Sequence, residues 1–91
     1  MNVVFLEGKE LTSKAKTHKV LKEKLELPDY YGENLNALWD CLTGWVSLPL
    51  KVVWNDFNIS KKQLGNFADE LLQLFFEAND EIDGFEIEVR K

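Results

Sequence analysis

The chain opens on a short apolar run, MNVVFLEGKEL, which is bounded by Glu7 and Gly8 and has the form of a buried strand. Thr12 or Ser13 then stands where a helix needs its N-cap. At about 100° per residue, Ala15, His18, Leu21 and Leu25 fall on one stripe with most lysines off it. Pro28 is expected to end this helix. Asn34 can cap a second helix, roughly residues 35–43, which Gly44 terminates. LPLKVVW at 48–54 reads as the next strand, with Pro49 confined to its entrance because proline donates nothing to a ladder. A short, weakly specified helix over 55–63 precedes a stronger one over 66–81, where Phe67, Leu71, Leu74, Phe75 and Ala78 share a broad stripe. FEIEVR at 85–90 alternates, with Phe85, Ile87 and Val89 on one face and Glu86 and Glu88 on the other.

The order β-α-α-β-(α)-α-β, with long helical crossovers, suits parallel neighbours. The fold class it predicts is α/β, a small three-stranded parallel sheet packed by helices on one side. The acids of the last strand fit a sheet that is not covered on both faces. Residues 1–91 are expected to form a single domain, since domains of this size are common. Apolar residues make up 45% of the chain, and six Phe and three Trp supply bulk for a core.

Charge narrows the function classes. Eleven basic against sixteen acidic residues give a net charge of -5, which argues against wrapping a phosphate backbone and favours a basic partner over nucleic acid. Cys41 stands alone, so neither an internal disulfide nor a metal-binding cysteine cluster can be built from this sequence. There is no basic-then-apolar leader and no long apolar run, so neither secretion nor a membrane is predicted; the expected location is cytoplasmic and the free chain a monomer.

The charges are sorted along the chain. From Glu26 to Leu50 there is no Lys or Arg but four acids, Glu26, Asp29, Glu33 and Asp40. Eight more acids fall between Gln63 and Val89, whereas residues 9–24 hold six lysines. In the second helix Leu35, Ala37, Leu38, Trp39, Cys41 and Leu42 occupy most of the circumference. Asn36, Asp40 and Thr43 share the one polar stripe, which must face water or a partner, and Trp39 borders it. Glu70, Gln73, Glu77 and Glu81 form a second polar stripe on the long helix. Two interpretations stand side by side. Such stripes are commonly solvated helix faces, and Tyr30, Tyr31 and Trp39 can be core residues. Yet rings, glycines and an unpaired Asp in one place are also the material of an interface hot spot.

An enzyme is harder to build. His18 lies on an apolar stripe with no partner identifiable from spacing, which fits a satisfied core or boundary histidine better than a catalyst. Asp40 and Glu77 could do acid/base work, but nothing singles them out for it. No phosphate loop, dinucleotide fingerprint or metal-ligand spacing is present, so no cofactor or metal is expected.

The stretch YYGENLNALWDCLTGW at 30–45, followed by Pro49-Leu50, resembles the barstar family of intracellular ribonuclease inhibitors, and the resemblance spans nearly the whole chain. It implies the same sheet-and-helix architecture and a partner of the barnase kind, an extracellular ribonuclease with a basic active site. It also implies that Asp40 occupies the place of the substrate phosphate among arginines and a catalytic histidine. Tyr30 would pack on that histidine, with Tyr31, Trp39, Gly44 and Trp45 shaping the contact and Thr43 adding a polar one. Asn34 and Leu35 would lie where the helix begins, Glu77 would meet another arginine, and Glu81 would act at the periphery. The match further implies a cis Leu48–Pro49 bond.

Four departures from the family pattern bear on this. Asn36 stands where an acid is expected, Phe76 where a base is, Asp83 where a second cysteine is, and Glu88 where the strand is apolar. Two function classes remain: a ribonuclease inhibitor that plugs the active site, and a binding domain for another basic protein or nuclease without catalytic blockade.

Overall fold

In the computed structural model, which describes residues 2–91, strand β1 (Asn2–Glu7) runs parallel to β2 (Leu50–Asn55), and β2 runs parallel to β3 (Phe85–Val89). The sheet order is β1-β2-β3. The first crossover carries a 3-10 turn (Gly8–Glu10), then α1 (Lys14–Lys24) and α2 (Leu35–Gly44). The second carries α3 (Phe57–Leu64) and α4 (Asn66–Glu81). This is the α/β architecture that the sequence pattern predicts.

Register decides what each strand residue faces. Leu6, Val52, Trp54, Leu50 and Phe85 point into the core cluster with the helices. The other face is open, and there Val3 and Phe5 are 47% and 46% exposed. The expectation of a buried first strand is thus corrected: β1 is an edge strand covered on one side, so alternate residues meet water. Val53, paired in the register with Phe5 and Glu88, is nevertheless buried.

Two details of α1 also differ from expectation. Ser13 is the cap, its Oγ accepting from Lys16 N at 3.1 Å. The helix stops at Lys24, four residues short of Pro28, because the chain ends it locally. Leu27 N donates to Lys22 O at 2.9 Å, and Glu26 takes a left-handed φ of 52°. Ala15 is exposed, and Thr17 and Val20 join His18 and Leu21 on the buried side. The Leu48–Pro49 bond is cis.

The central strand is tied to both crossovers by a buried polar string. Trp54, fully buried between Phe57 and Phe75, donates its Nε1 hydrogen to Ser60 Oγ at 3.0 Å. Ser60 Oγ donates in turn to Gly8 O at 3.1 Å, and Gln63 Nε2 donates to Gly8 O and to Leu11 O, both at 3.2 Å. Leaving such a group unpaired inside costs about 1–3 kcal/mol, so the string fixes which way α3 lies. Gly8 permits it: a Cβ there would sit 2.3 Å from Asp56 O and 2.4 Å from Asn55 O. Gly8→Ala is therefore expected to lower unfolding stability by about 2–3 kcal/mol, read as an earlier urea midpoint at unchanged slope.

Candidate functional site

Helix α2 begins where Asn34 uses both ends of its amide. Its Oδ1 accepts from Ala37 N at 2.8 Å and its Nδ2 donates to Gly32 O at 3.2 Å. Leu38, Cys41 and Leu42 are buried, Leu35 and Trp39 are half-buried, and Asn36, Asp40, Thr43 and Gly44 are exposed. The polar stripe expected from spacing is therefore the stripe that meets solvent. Thr43 turns its hydroxyl back on the helix, donating to the carbonyls of Trp39 and Asp40 at 3.0 and 3.1 Å.

The turn before α2 separates its two tyrosines. Tyr30 is 79% exposed and Tyr31 only 6%. Tyr31 N donates to Pro28 O at 2.9 Å, and its hydroxyl shares a 2.7 Å hydrogen bond with His18 Nδ1 of α1. Tyr30 meets the edge of Trp45 at 6.1 Å between ring centres. Trp45, itself half-exposed, donates Nε1–H to Glu26 O at 3.0 Å. One ring is thus presented to solvent beside a second ring that the main chain holds in place.

Helix α4 supplies the opposite bank. Leu35, Asn36 and Trp39 of α2 and Glu70, Gln73, Leu74 and Glu77 of α4 line one cleft of about 300 Å³. Gln73 Nε2 donates to Glu77 Oε1 at 3.3 Å. Asp40 lies one turn beyond Asn36 on the same stripe, and Glu81 is exposed at the far end of α4. Phe76, 44% exposed, does not extend the core; helical geometry places it about 100° around α4 from Glu77, away from α2. The structure therefore brings Asn36, Leu35, Trp39 and Glu77 into one groove and Tyr30 against Trp45, with Tyr31 as support beneath. Glu70 was not singled out as a contact from sequence, although its spacing of seven residues from Glu77 carries the signal.

Electrostatics follow from burial. The ion pairs among the described residues are Lys51–Glu88 (2.9 Å), Arg90–Glu88 (2.6 Å) and Lys61–Asp69, and none involves α2, Glu70 or Glu77. Hydrogen bonds from Lys51 and Arg90 hold the Glu88 carboxyl below its usual range. Burial pushes the Cys41 thiol up, and the neighbouring Asp40 adds to it. The Tyr31 phenol is raised mainly by burial. His18 is lowered by burial and by Lys14, with Glu33 opposing. Among the described residues no group of three or more His, Cys, Asp or Glu could hold a metal ion, and no helix is long and apolar enough to cross a membrane.

Taken together, the parallel sheet and the α2–α4 groove define a small α/β protein that displays one helix face beside an aromatic turn. The chain matches the family model described as Barstar (barnase inhibitor) over residues 1–90. It is 47% identical over 88 residues, covering 96% of this chain and 97% of the other, to a Bacillus subtilis (strain 168) protein named "Putative ribonuclease inhibitor YrdF". The chain belongs to the barstar family.

The shift of His18 gives a pH prediction. Its folded pKa lies below the ordinary 6.5, so its contribution to stability is full above that value and is lost as pH falls through the folded pKa. Urea midpoints measured from pH 8 to pH 5 are expected to fall in the wild type, with a smaller fall in His18→Gln.

Proposed function

We propose that the protein inhibits a barnase-like, secreted ribonuclease by inserting the exposed side of α2 into the enzyme's basic active site. Asp40 takes the place of the substrate phosphate, Tyr30 packs on the catalytic histidine, and Glu77 meets a second arginine. Trp39, Leu35, Gly44 and Trp45 shape the contact, Asn34 and Tyr31 hold its framework, Thr43 adds a polar edge, and Glu81 lies at the rim. The inhibitor acts in the cytoplasm as a free monomer, before the enzyme is exported. The family membership supports this, as does the name of the Bacillus subtilis relative.

One observation carries the proposal: Asp40 is exposed on α2 and makes no ion pair among the described residues. A ribonuclease displays preorganised cations for the charge of its transition state, and a carboxylate presented to them blocks the site. Asp40 is hydrated in the free protein and becomes desolvated against a guanidinium, where a directional charge-assisted bond offsets the cost. Glu70 and Glu77 on the α4 bank, with Asp40 one turn beyond the groove on α2, would draw a basic enzyme inward from a distance.

Asn36 favours a second reading. It lines the groove where the family pattern has an acid, so one ion pair with a barnase-type enzyme is missing. The target is then another basic nuclease or protein, bound without blockade of catalysis.

Titration into ribonuclease assays separates the two. The inhibitor reading expects activity to fall to zero at one equivalent; binding with full residual activity overturns it. Asp40→Ala should weaken binding by about 3 kcal/mol or more, a loss of roughly a hundredfold, while unfolding stability moves by about 0.5 kcal/mol or less. Asn36→Asp should tighten inhibition of a barnase-type enzyme by about tenfold, measured as an inhibition constant.

A further inference from the structure

Beneath the aromatic turn lies a buried polar contact that the inhibitory role leaves unexplained. His18 and Tyr31 are both buried, and their hydrogen bond crosses from α1 to the turn before α2. The His18 ring also lies 5.7 Å from that of Phe67 on α4, so three elements meet on one imidazole. The residue before Tyr31 is the exposed Tyr30, and three residues after it Asn34 caps α2. Because Tyr31 N is bonded to Pro28 O, fixing the Tyr31 ring fixes the turn.

We propose that His18 is a positioning residue for the docking face. It accepts the Tyr31 hydroxyl hydrogen at Nδ1 and so holds the turn that presents Tyr30 and starts α2; its protonation reverses that bond, takes the acceptor from the phenol hydrogen and loosens the hold. The proposal rests on the inhibitor reading and adds to it a control by pH.

The chemistry is specific to one state. Neutral His18 with its hydrogen on Nε2 leaves Nδ1 free to accept. A second proton converts Nδ1 into a donor, and the Tyr31 hydrogen must then find another acceptor inside a buried site. The charged groups around His18 come from each packed element: Lys14 of α1, Glu33 of the turn and Glu70 of α4, which all line the same cleft. Lys14 also sits over the Phe67 ring at 5.2 Å. Lys14 opposes a positive His18 and Glu33 favours it, while burial tips the balance to the neutral form. Binding is therefore strong at and above neutral pH and weakens as pH falls below the ordinary histidine range.

Two measurements on the full chain test this. In the free protein, backbone amides of residues 29–36 followed by NMR from pH 8 to pH 5 should move with the His18 titration. In His18→Asn, whose Oδ1 stands where Nδ1 does and accepts from Tyr31 without titrating, they should stay in place. Inhibition constants against a barnase-type ribonuclease should match wild type within about threefold for His18→Asn at pH 7.5, and weaken about tenfold for Tyr31→Phe. Between pH 7.5 and pH 5 the wild type should lose about tenfold more affinity than His18→Asn, a difference that cancels titration of the enzyme itself. Parallel profiles with inhibition intact, or amides that ignore His18, overturn the positioning role alone. Absence of inhibition at every pH overturns the inhibitor reading and the functional part of this one together.

Discussion

The seating of α2 on the core is the contact on which the rest depends. Leu38, Cys41 and Leu42 are buried, and the helix has no cation and little polar surface to spend elsewhere. A helix so apolar around most of its girth admits one orientation, with Asn36, Asp40 and Thr43 outward. What is displayed is therefore a consequence of what must be hidden. Burial of leucines, with no directional contact at Asp40 itself, aims the carboxylate.

Much of this was legible in the order of residues, and the exceptions have physical causes. Periodicity located α2 and α4 because each buries a broad stripe, and capping chemistry at Asn34 marked the start of α2 within a residue. The same logic failed at β1, where an apolar run cannot say whether its strand lies at an edge; Val3 and Phe5 face water because no element among the described residues covers that side. It placed the end of α1 at Pro28, but the left-handed turn at Glu26 ends the helix first, and Glu26 carries no side-chain signal for it. At the candidate site, spacing identified the stripe of Asn36 and Asp40, and the family resemblance nominated Tyr30 and Glu77. Neither could assign opposite fates to Tyr30 and Tyr31, since adjacent residues of one type differ here only by which has a partner, His18, thirteen positions earlier.

Charge is partitioned in space as well as along the chain. The open face of the sheet neutralises itself, Glu88 being held between Lys51 and Arg90, and Asp69 is matched by Lys61. Glu70 and Glu77 on α4 and Asp40 on α2 have no such counter-ion among the described residues. Exposed pairs of the first kind add little to stability. Glu70 and Glu77, which line the α2–α4 groove, stay outside these pairs, and Lys14 of α1 borders the adjoining cleft beside Glu70.

The lone thiol adds one more consequence. Cys41 is sealed beneath the helix next to Asp40, and both burial and that carboxylate disfavour the thiolate, the form that attacks peroxides and disulfides. Oxidation of Cys41 and sulfur-bridged pairing of two copies through it are thereby disfavoured. The carboxylate displayed toward the outside thus also helps to keep the chain's only thiol protonated.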